Sequence, residues 1–503
     1  MRFTCFIILA KIYLTVYAIE RNTKVVILGA GAAGVSIGKT LSTSGIQDFI
    51  IVDAQPFVGG RVQHKKFGNS FVELGANWIY GKGENPIYKM AVRHGLRTAP
   101  NEKENLVFFG DNYIIDKSVG EKVYFEFEDI KLKLLEYADQ RIKRGQVDLS
   151  TRSGLSLLGW KKDTPLKAAV EYFNIDWELA EPPEICSLDY TMGNIDSELD
   201  SYPPGNEFVV DPRGFNHIIK EELKTFIPDN NDSRIMLNTL VTSVFYNDDN
   251  VTVYTADGDT IVADFAICTF SLGVLQSGFV NFQPIFPEWK REALLSFHMT
   301  TYTKIFLKFE KQFWDDWQFA LFADNTTSPN FIVWQNLNAP GYLFQPSLSE
   351  PILMVTVTNQ QSERIELMSD NQIMEEITDS ILRMFPNGEA PIDILVPRWQ
   401  QNPLFRGSYS NWPIGASDKH HLNIRAPLSK DQNSDKPRLW FAGEATSTDY
   451  YGYLHGAWLE GKSVAKQVEQ CLKSKCPSYD YFEFVTSCNP QENPKFRFLR
   501  QYR

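Results

Sequence analysis

The sequence predicts an α/β plus α+β architecture, in which a Rossmann-like nucleotide-binding domain is interleaved with a mixed-sheet and helical second domain. Three observations carry this reading. Residues 24–34, KVVILGAGAAG, run an apolar, β-branched strand into a glycine turn. A helical pattern continues through Leu41, and a second apolar strand at 49–52 ends on Asp53, which completes a βαβ unit and starts a parallel sheet. Much later, RLWFAGE at 438–444 reads as another strand running into glycine, followed by a helical pattern over 456–471. The nucleotide domain is therefore expected to be discontinuous, built from 19–95, 205–285 and 395–475. The second domain takes 96–204 and 286–394, and 476–503 forms a tail.

The intervening chain supports the division. Residues 115–200 are mostly helical in period, with helices over 123–144 and 165–172. Residues 235–275 switch to strand character, and the DGD at 257–259 reads as a hairpin turn. A further strand is expected at 300–309. No internal repeat or low-complexity linker occurs.

Composition narrows the function classes. The chain has 503 residues, 43% of them hydrophobic, enough to bury more than one core. Its net charge of −12, from 62 acidic against 50 basic residues, argues against a nucleic-acid partner, which needs a basic surface. Arg2 precedes an apolar run over 3–17 that ends Val16-Tyr17-Ala18, the pattern of a secretory signal cleaved after Ala18. Lys11 interrupts the run, and a membrane-spanning helix needs about 20 apolar residues, so no stable membrane insertion is expected. Asn231, Asn250 and Asn325 each open an N-x-S/T sequon, consistent with a secreted protein. Cys186 and Cys268 read as buried thiols. Cys471, Cys476 and Cys488 cluster near the end, and one disulfide among them is expected, its pair left open. No metal-ligand spacing of Cys and His appears.

The chemistry begins at the first turn. Gly29, Gly31 and Gly34 give G-x-G-x-x-G directly after a strand. The first glycine permits the tight turn, the second lets backbone approach a pyrophosphate, and the third lets the helix pack on the strand. Asp53 follows Gly34 by 19 residues (53 − 34) and can accept from a ribose hydroxyl. Just beyond it, Gly59, Gly60 and Arg61 add backbone amides and a positive charge. In TYTKIFLKF at 301–309, alternation puts Tyr302, Lys304, Phe306 and Lys308 on one face and Thr303, Ile305, Leu307 and Phe309 on the other. Both faces are largely apolar, so Lys304 is expected to be buried with a lowered pKa. The bland alternative is a solvated charge on an edge strand.

These pieces resemble the flavin amine oxidases. The matching segments are VDAQPFVGGRV at 52–62, ELGANW at 73–78, TFSLGVL at 269–275, TYTKIFLKF, SNWPIG at 410–415 and FAGEAT at 441–446. LAEPPEICSL at 179–188 and YYGYLHGA at 450–457 look like the secreted plant-type polyamine oxidases. The resemblance implies FAD contacts at Gly29, Gly31, Gly34, Asp53, Arg61, Trp78, Val241, Trp399 and Glu444, with Val241 meeting adenine through its backbone and Glu444 near the ribitol and pyrophosphate. The family's covalent members use a cysteine near the late aromatic motif; STDYYGYLHG at 447–456 has none, so non-covalent FAD is implied. The catalytic lysine, linked through water to the flavin, falls on Lys304. Tyr409 and Tyr453 match the aromatic walls flanking the substrate, and Tyr302 matches a further site aromatic. Glu178 matches an acid of the substrate tunnel, with Glu181 as its neighbouring alternative. Tyr80 stands where relatives carry a second acid, and Glu84 is the nearest replacement. The implied reaction oxidises spermine or spermidine with O2, giving an aminoaldehyde, a smaller amine and H2O2, and the implied protein is a monomer. Oxidation of another amine and a non-catalytic flavin-binding role are the competing readings.

Overall fold

The strand Glu20–Leu28 pairs in parallel on one side with Phe49–Val52 and on the other with Thr260–Cys268. The computed structural model in which this is seen describes residues 19–101, 106–190, 202–229, 231–326, 330–342, 350–432 and 434–483. The expected signal segment, Cys5 and Cys488 lie outside the described residues. Around that pairing grows an eight-stranded sheet. Ile235–Met236 adds beyond Phe49–Val52. The N-terminal half of Thr260–Cys268 pairs antiparallel with Val251–Thr255, and its C-terminal half pairs in parallel with Leu439–Phe441. Val241–Tyr246 and Asn281–Gln283 complete the sheet.

Both faces of this sheet are covered, which is why its central strands are continuous apolar runs. Alternate residues of one strand enter two different cores. Val25 and Ile27 pack with the helices Ala32–Thr43, Asn216–Lys224 and Leu454–Lys473, whereas Val26 and Leu28 pack with Trp289, Ala293 and Leu428. Two close approaches lock the first face. A Cβ on Gly34 would stand 1.9 Å from the carbonyl oxygen of Gly29, and one on Gly461 would stand 2.4 Å from that of Ala33. Glycine is therefore required for the helix Ala32–Thr43 to sit on its strand, and for Leu454–Lys473 to sit on that helix.

A second, seven-stranded sheet runs in the order Asp393–Leu395, Tyr302–Lys308, Ile352–Thr358, Val333–Asn336, Phe319–Phe322, Leu106–Gly110, Tyr113–Ile114. Ile305 and Leu307 face the helices Asn359–Leu367 and Asp370–Met384. The latter starts at a Ser369/Gln372 capping box and buries Ile373, Ile377 and Ile381, one residue per turn. The opposite face meets the helices Lys117–Lys143 and Pro165–Asn174 through Phe319, Leu321 and Val333, and meets Phe208 and Phe67 through Phe306 and Met354.

The expected elements are present, with shifted ends. The helix expected from 123 begins at Lys117, because the Asp116 side chain caps it by accepting from Ser118 N. The strand character read across 235–246 breaks after Met236. Asn238 there takes a left-handed φ of 54°, and Thr239 N donates to Asp53 O, so the chain turns over Asp53 before Val241–Tyr246 begins. The disulfide joins Cys471 to Cys476, and Cys186 and Cys268 are buried free thiols. Among the described residues no helix is long and apolar enough to cross a membrane.

Replacing Gly34 by alanine forces a methyl into a backbone oxygen that cannot swing aside. Overpacking of this kind costs about 1–3 kcal/mol, so Gly34→Ala is expected to lower the melting temperature and to weaken retention of whatever binds above the turn. Thermal unfolding of parent and variant checks it; equal melting temperatures would mean that the helix moves away without cost.

Candidate active site

One cavity runs from the first glycine turn to the second sheet. At its first end, Gly29 has φ 113°, and its N–H donates to Val52 O at 2.8 Å, folding the turn back on the second strand. The helix Ala32–Thr43 has Gly31 as its N-cap and no side-chain capping bond, so the backbone amides of its first turn are left for a ligand. The second glycine pair closes over the first through Gly59 N, which donates to Ala30 O at 2.8 Å. Gly31 and Gly60 line the cavity and lie against each other with only backbone between them. Asp53 accepts from Ala30 N at 2.7 Å and Gln55 N at 2.8 Å; burial raises its pKa against the pull of those two donors. Val241 and Thr239 line the same end.

Midway, Arg61 Nη1 donates to Glu444 Oε1 at 3.0 Å and to Ser408 O at 2.8 Å. The second oxygen of Glu444 accepts from Ser410 Oγ at 2.6 Å and from Gly452 N at 2.9 Å. Arg61 and Glu444 thus form an ion pair that ties three distant segments to the wall. Trp399 donates from Nε1 to Leu74 O at 3.3 Å, and Trp78 packs on Phe208 with ring centres 4.8 Å apart; both line the cavity.

At the far end, Lys304 is 5% exposed. Among the described residues its strand is paired at this point only with Ile352–Thr358, since Asp393–Leu395 runs from opposite Lys308 and ends opposite Phe306, so one edge is open toward the cavity. Lys304 Nζ donates to the carbonyl oxygens of Glu73 and Gly75. Burial lowers its pKa to about 7, opposed by the Glu73 carboxyl. Burial likewise pushes Glu73 up, opposed by the N–H of Phe215 and by Lys304. Each of these groups is thereby held toward its neutral form.

Beside Lys304 stands an aromatic enclosure of Tyr80, Trp177, Tyr302, Tyr409 and Tyr453 around Glu178, all lining the cavity. The Tyr453 hydroxyl donates to Glu178 Oε1 at 3.4 Å, and the Tyr409 hydroxyl donates to Glu178 O at 3.0 Å. Tyr80 meets Tyr453 edge-on at 4.9 Å, and Tyr302 lies 5.9 Å from Tyr409. Burial raises the pKa of Tyr302 and Tyr409, so both keep their protons near neutral pH.

The cavity thus brings together the cofactor, aromatic, lysine and first-choice acidic positions singled out from the sequence, apart from Gly34, which lies beneath the turn and acts through packing. The two reserve acids lie elsewhere: the Glu84 side chain is exposed and pairs with Lys89, and Glu181 is engaged by His298 and Asn411. Sequence reasoning missed Trp177, which adjoins Glu178 in DWEL, and Glu73, the first letter of the ELGANW segment already singled out. Among the described residues no cluster of three or more His, Cys, Asp or Glu side chains is placed to hold a metal.

Comparison with known proteins agrees with this geometry. The profile of the flavin containing amine oxidoreductase family matches residues 32–469. Polyamine oxidase 7 of Oryza sativa subsp. japonica is 36% identical over 87% of this chain and 93% of its own length. Polyamine oxidase 1 of Zea mays is 34% identical over 91% of this chain and 92% of its own. A solved structure of wild-type putrescine oxidase bound to putrescine superposes with a TM-score of 0.71, covering 90% of this chain and 99% of that one at 16% identity, and so shares its fold. With the strand–turn–helix cradle, the buried lysine and the aromatic enclosure in one cavity, the chain belongs to the flavin-containing amine oxidoreductases.

Proposed function

We propose that this enzyme is a polyamine oxidase that acts on spermine or spermidine, with O2 as the final acceptor. The observation that carries the reading is a carboxylate, Glu178, set inside five aromatic side chains at the end of the cavity opposite the dinucleotide cradle. A cationic chain suits that enclosure: the ring faces attract ammonium groups, and the carboxylate fixes one of them. The names of the rice and maize relatives support the same substrate class. Overall the amine gives two electrons and two protons to O2, forming H2O2, and water cleaves the resulting imine to an aldehyde and a smaller amine.

The cofactor is FAD, which supplies the hydride acceptor. The residues present fit it: Gly29, Gly31, the first-turn amides and Gly59–Gly60 for the pyrophosphate, Asp53 for a ribose, Val241 for the adenine, Arg61, Trp78, Trp399 and Glu444 along the remainder. We read it as non-covalent, since neither free cysteine of the described residues, Cys186 or Cys268, lines the cavity. Lys304 is read as the catalytic proton-handling group. Its amine is neutral above about pH 7 and can take up and release a proton at Nζ. Tyr302, Tyr409 and Tyr453 orient the amine and exclude water, and Tyr80 closes the wall against Tyr453. We further read the cofactor domain as 19–95, 205–285 and 395–475, the substrate domain as 96–204 and 286–394, and the enzyme as a monomer.

Lys304→Met is expected to keep FAD bound while slowing turnover by about 10²–10⁴-fold, the usual contribution of a general acid–base group. In the parent, the step that uses the free amine should speed up as pH rises through about 7, and that inflection should vanish in the variant. Stopped-flow absorbance of both half-reactions tests this, and acid precipitation should release yellow FAD from both proteins. Unchanged flavin reduction and reoxidation would make Lys304 structural.

Glu178→Gln is expected to raise KM for spermidine and spermine with a smaller change in kcat, the signature of lost uniform binding. A charge-assisted contact is worth roughly 1.5–3 kcal/mol, which is about ten- to hundredfold. Steady-state assays of both polyamines beside a monoamine decide it. Parent-like kinetics on the polyamines would reject Glu178 as their anchor.

We also propose that the protein is exported and matures at Ile19. Exposed Asn231 and Asn325 in sequons and the Cys471–Cys476 disulfide support an oxidising destination. N-terminal sequencing of protein recovered from medium and cytosol should find Ile19 in the medium; recovery only in cytosol with Met1 intact would reject it.

A further inference from the structure

Glu178 sits on a helix of a single turn, Asp176–Leu179, which ends on Ala180 at φ 60°. A non-glycine residue rarely adopts that left-handed conformation unless its surroundings hold it there. The hold is visible one residue later. Glu181 is buried, and both of its carboxylate oxygens are taken: His298 Nδ1 lies 2.7 Å from Oε1, and Asn411 Nδ2 donates to Oε2 at 2.8 Å. His298 and Asn411 are themselves cross-strand partners in a short antiparallel ribbon of His298–Met299 and Ser410–Asn411. The preceding residue, Tyr409, donates its hydroxyl to Glu178 O at 3.0 Å. The ribbon therefore grips the turn on both sides of Ala180. Neither His298 nor Glu181 lines the cavity.

We propose that His298 is a positioning residue, which through Glu181 holds the Ala180 turn and so fixes the direction in which Glu178 meets a distal ammonium of the substrate. This rests on the reading of Glu178 as the polyamine anchor. The device also responds to pH. Among the described residues the titratable groups that interact with Glu181 are His298, Cys186 and Tyr409. Burial raises Cys186 and Tyr409, so both remain protonated near neutrality. The Glu181 hydrogen bond raises His298 above its ordinary value. The charge on His298 in this pair is accordingly gained as pH falls through that raised value and lost as pH rises through it, leaving a neutral hydrogen bond.

The test uses the FAD-loaded enzyme and three variants, His298→Ala, His298→Gln and Glu178→Gln, assayed on spermidine and on butylamine. Flavin absorbance and melting temperature verify that each variant is folded. His298→Ala should raise KM for spermidine about tenfold, the scale of a weakened charge-assisted contact, with kcat within about twofold and KM for butylamine unchanged. His298→Gln, which keeps a hydrogen-bond donor without the charge, should fall between parent and His298→Ala; spermidine KM of the parent should rise as pH climbs through the raised His298 value, and that rise should be absent in His298→Gln. If Glu178→Gln raises spermidine KM while His298→Ala leaves it unchanged, or raises both substrates' KM equally, the positioning role is overturned. If Glu178→Gln is itself silent, the anchor reading falls and this proposal falls with it.

Discussion

The parallel pairing of Glu20–Leu28 with Thr260–Cys268 is the constraint on which the rest of the molecule depends. Register partners such as Glu20 and Thr260 are 240 positions apart (260 − 20). Parallel neighbours cannot be joined by a tight turn, and here the chain leaves the sheet after Phe49–Val52 and rejoins it only at Ile235–Met236. That excursion contains the helices Lys117–Lys143 and Pro165–Asn174 and the strand Leu106–Gly110, which pairs with Phe319–Phe322 from the far side of the crossover. The second sheet is thus stitched from segments before and after the same pairing. The cavity lies where the two sheets' segments meet, and its lining is drawn from both.

Burial at that seam has an electrical consequence. Lys304 and Glu73 are both taken out of water, and charge is costly there unless paired and fully hydrogen-bonded. Two backbone carbonyls solvate the Lys304 amine, and one N–H serves the Glu73 carboxyl, whose other oxygen has no hydrogen-bond partner among the described residues. The protein settles the conflict by favouring neutral forms, which places the amine's titration near neutral pH. Arg61 and Glu444 resolve the same conflict differently. Each satisfies the other, and additional donors from Ser410 and Gly452 fill the remaining lone pairs. One site therefore holds a responsive pair and a fixed one.

What could be read from sequence follows the range of the interactions involved. The first βαβ unit was legible because glycine spacing and β-branched runs are local signals, and the structure starts the second strand where the pattern does, at Phe49–Val52. The burial of Lys304 was legible from alternation over nine residues. The edge-strand alternative was half right, since the strand is unpaired on one side at Lys304, yet that edge opens into the cavity rather than to bulk water. The break at Asn238 was hidden, because its left-handed backbone is imposed by the fit over Asp53 and Gln55. Contacts such as Arg61 with Glu444, or Glu181 with His298, join residues more than a hundred positions apart, and no periodicity announces them. Glu178 and Glu181 were equivalent as letters. Only the cross-strand ribbon turns one into a cavity wall and the other into its anchor.

The close approach of Gly461 to Ala33 has a bearing on redesign. Tyr453 precedes the helix Leu454–Lys473, and a Cβ on Gly456 would strike Tyr450 O at 2.0 Å, while one on Gly461 would strike Ala33 O at 2.4 Å. The segment carrying this aromatic wall is therefore pinned against its own preceding loop and against the dinucleotide helix. Under the proposed function, amine selectivity would be retuned by exchanging the ring at position 453. The chain beneath it has no slack, and any attempt to widen the enclosure by shifting that backbone would loosen the cofactor's own cradle.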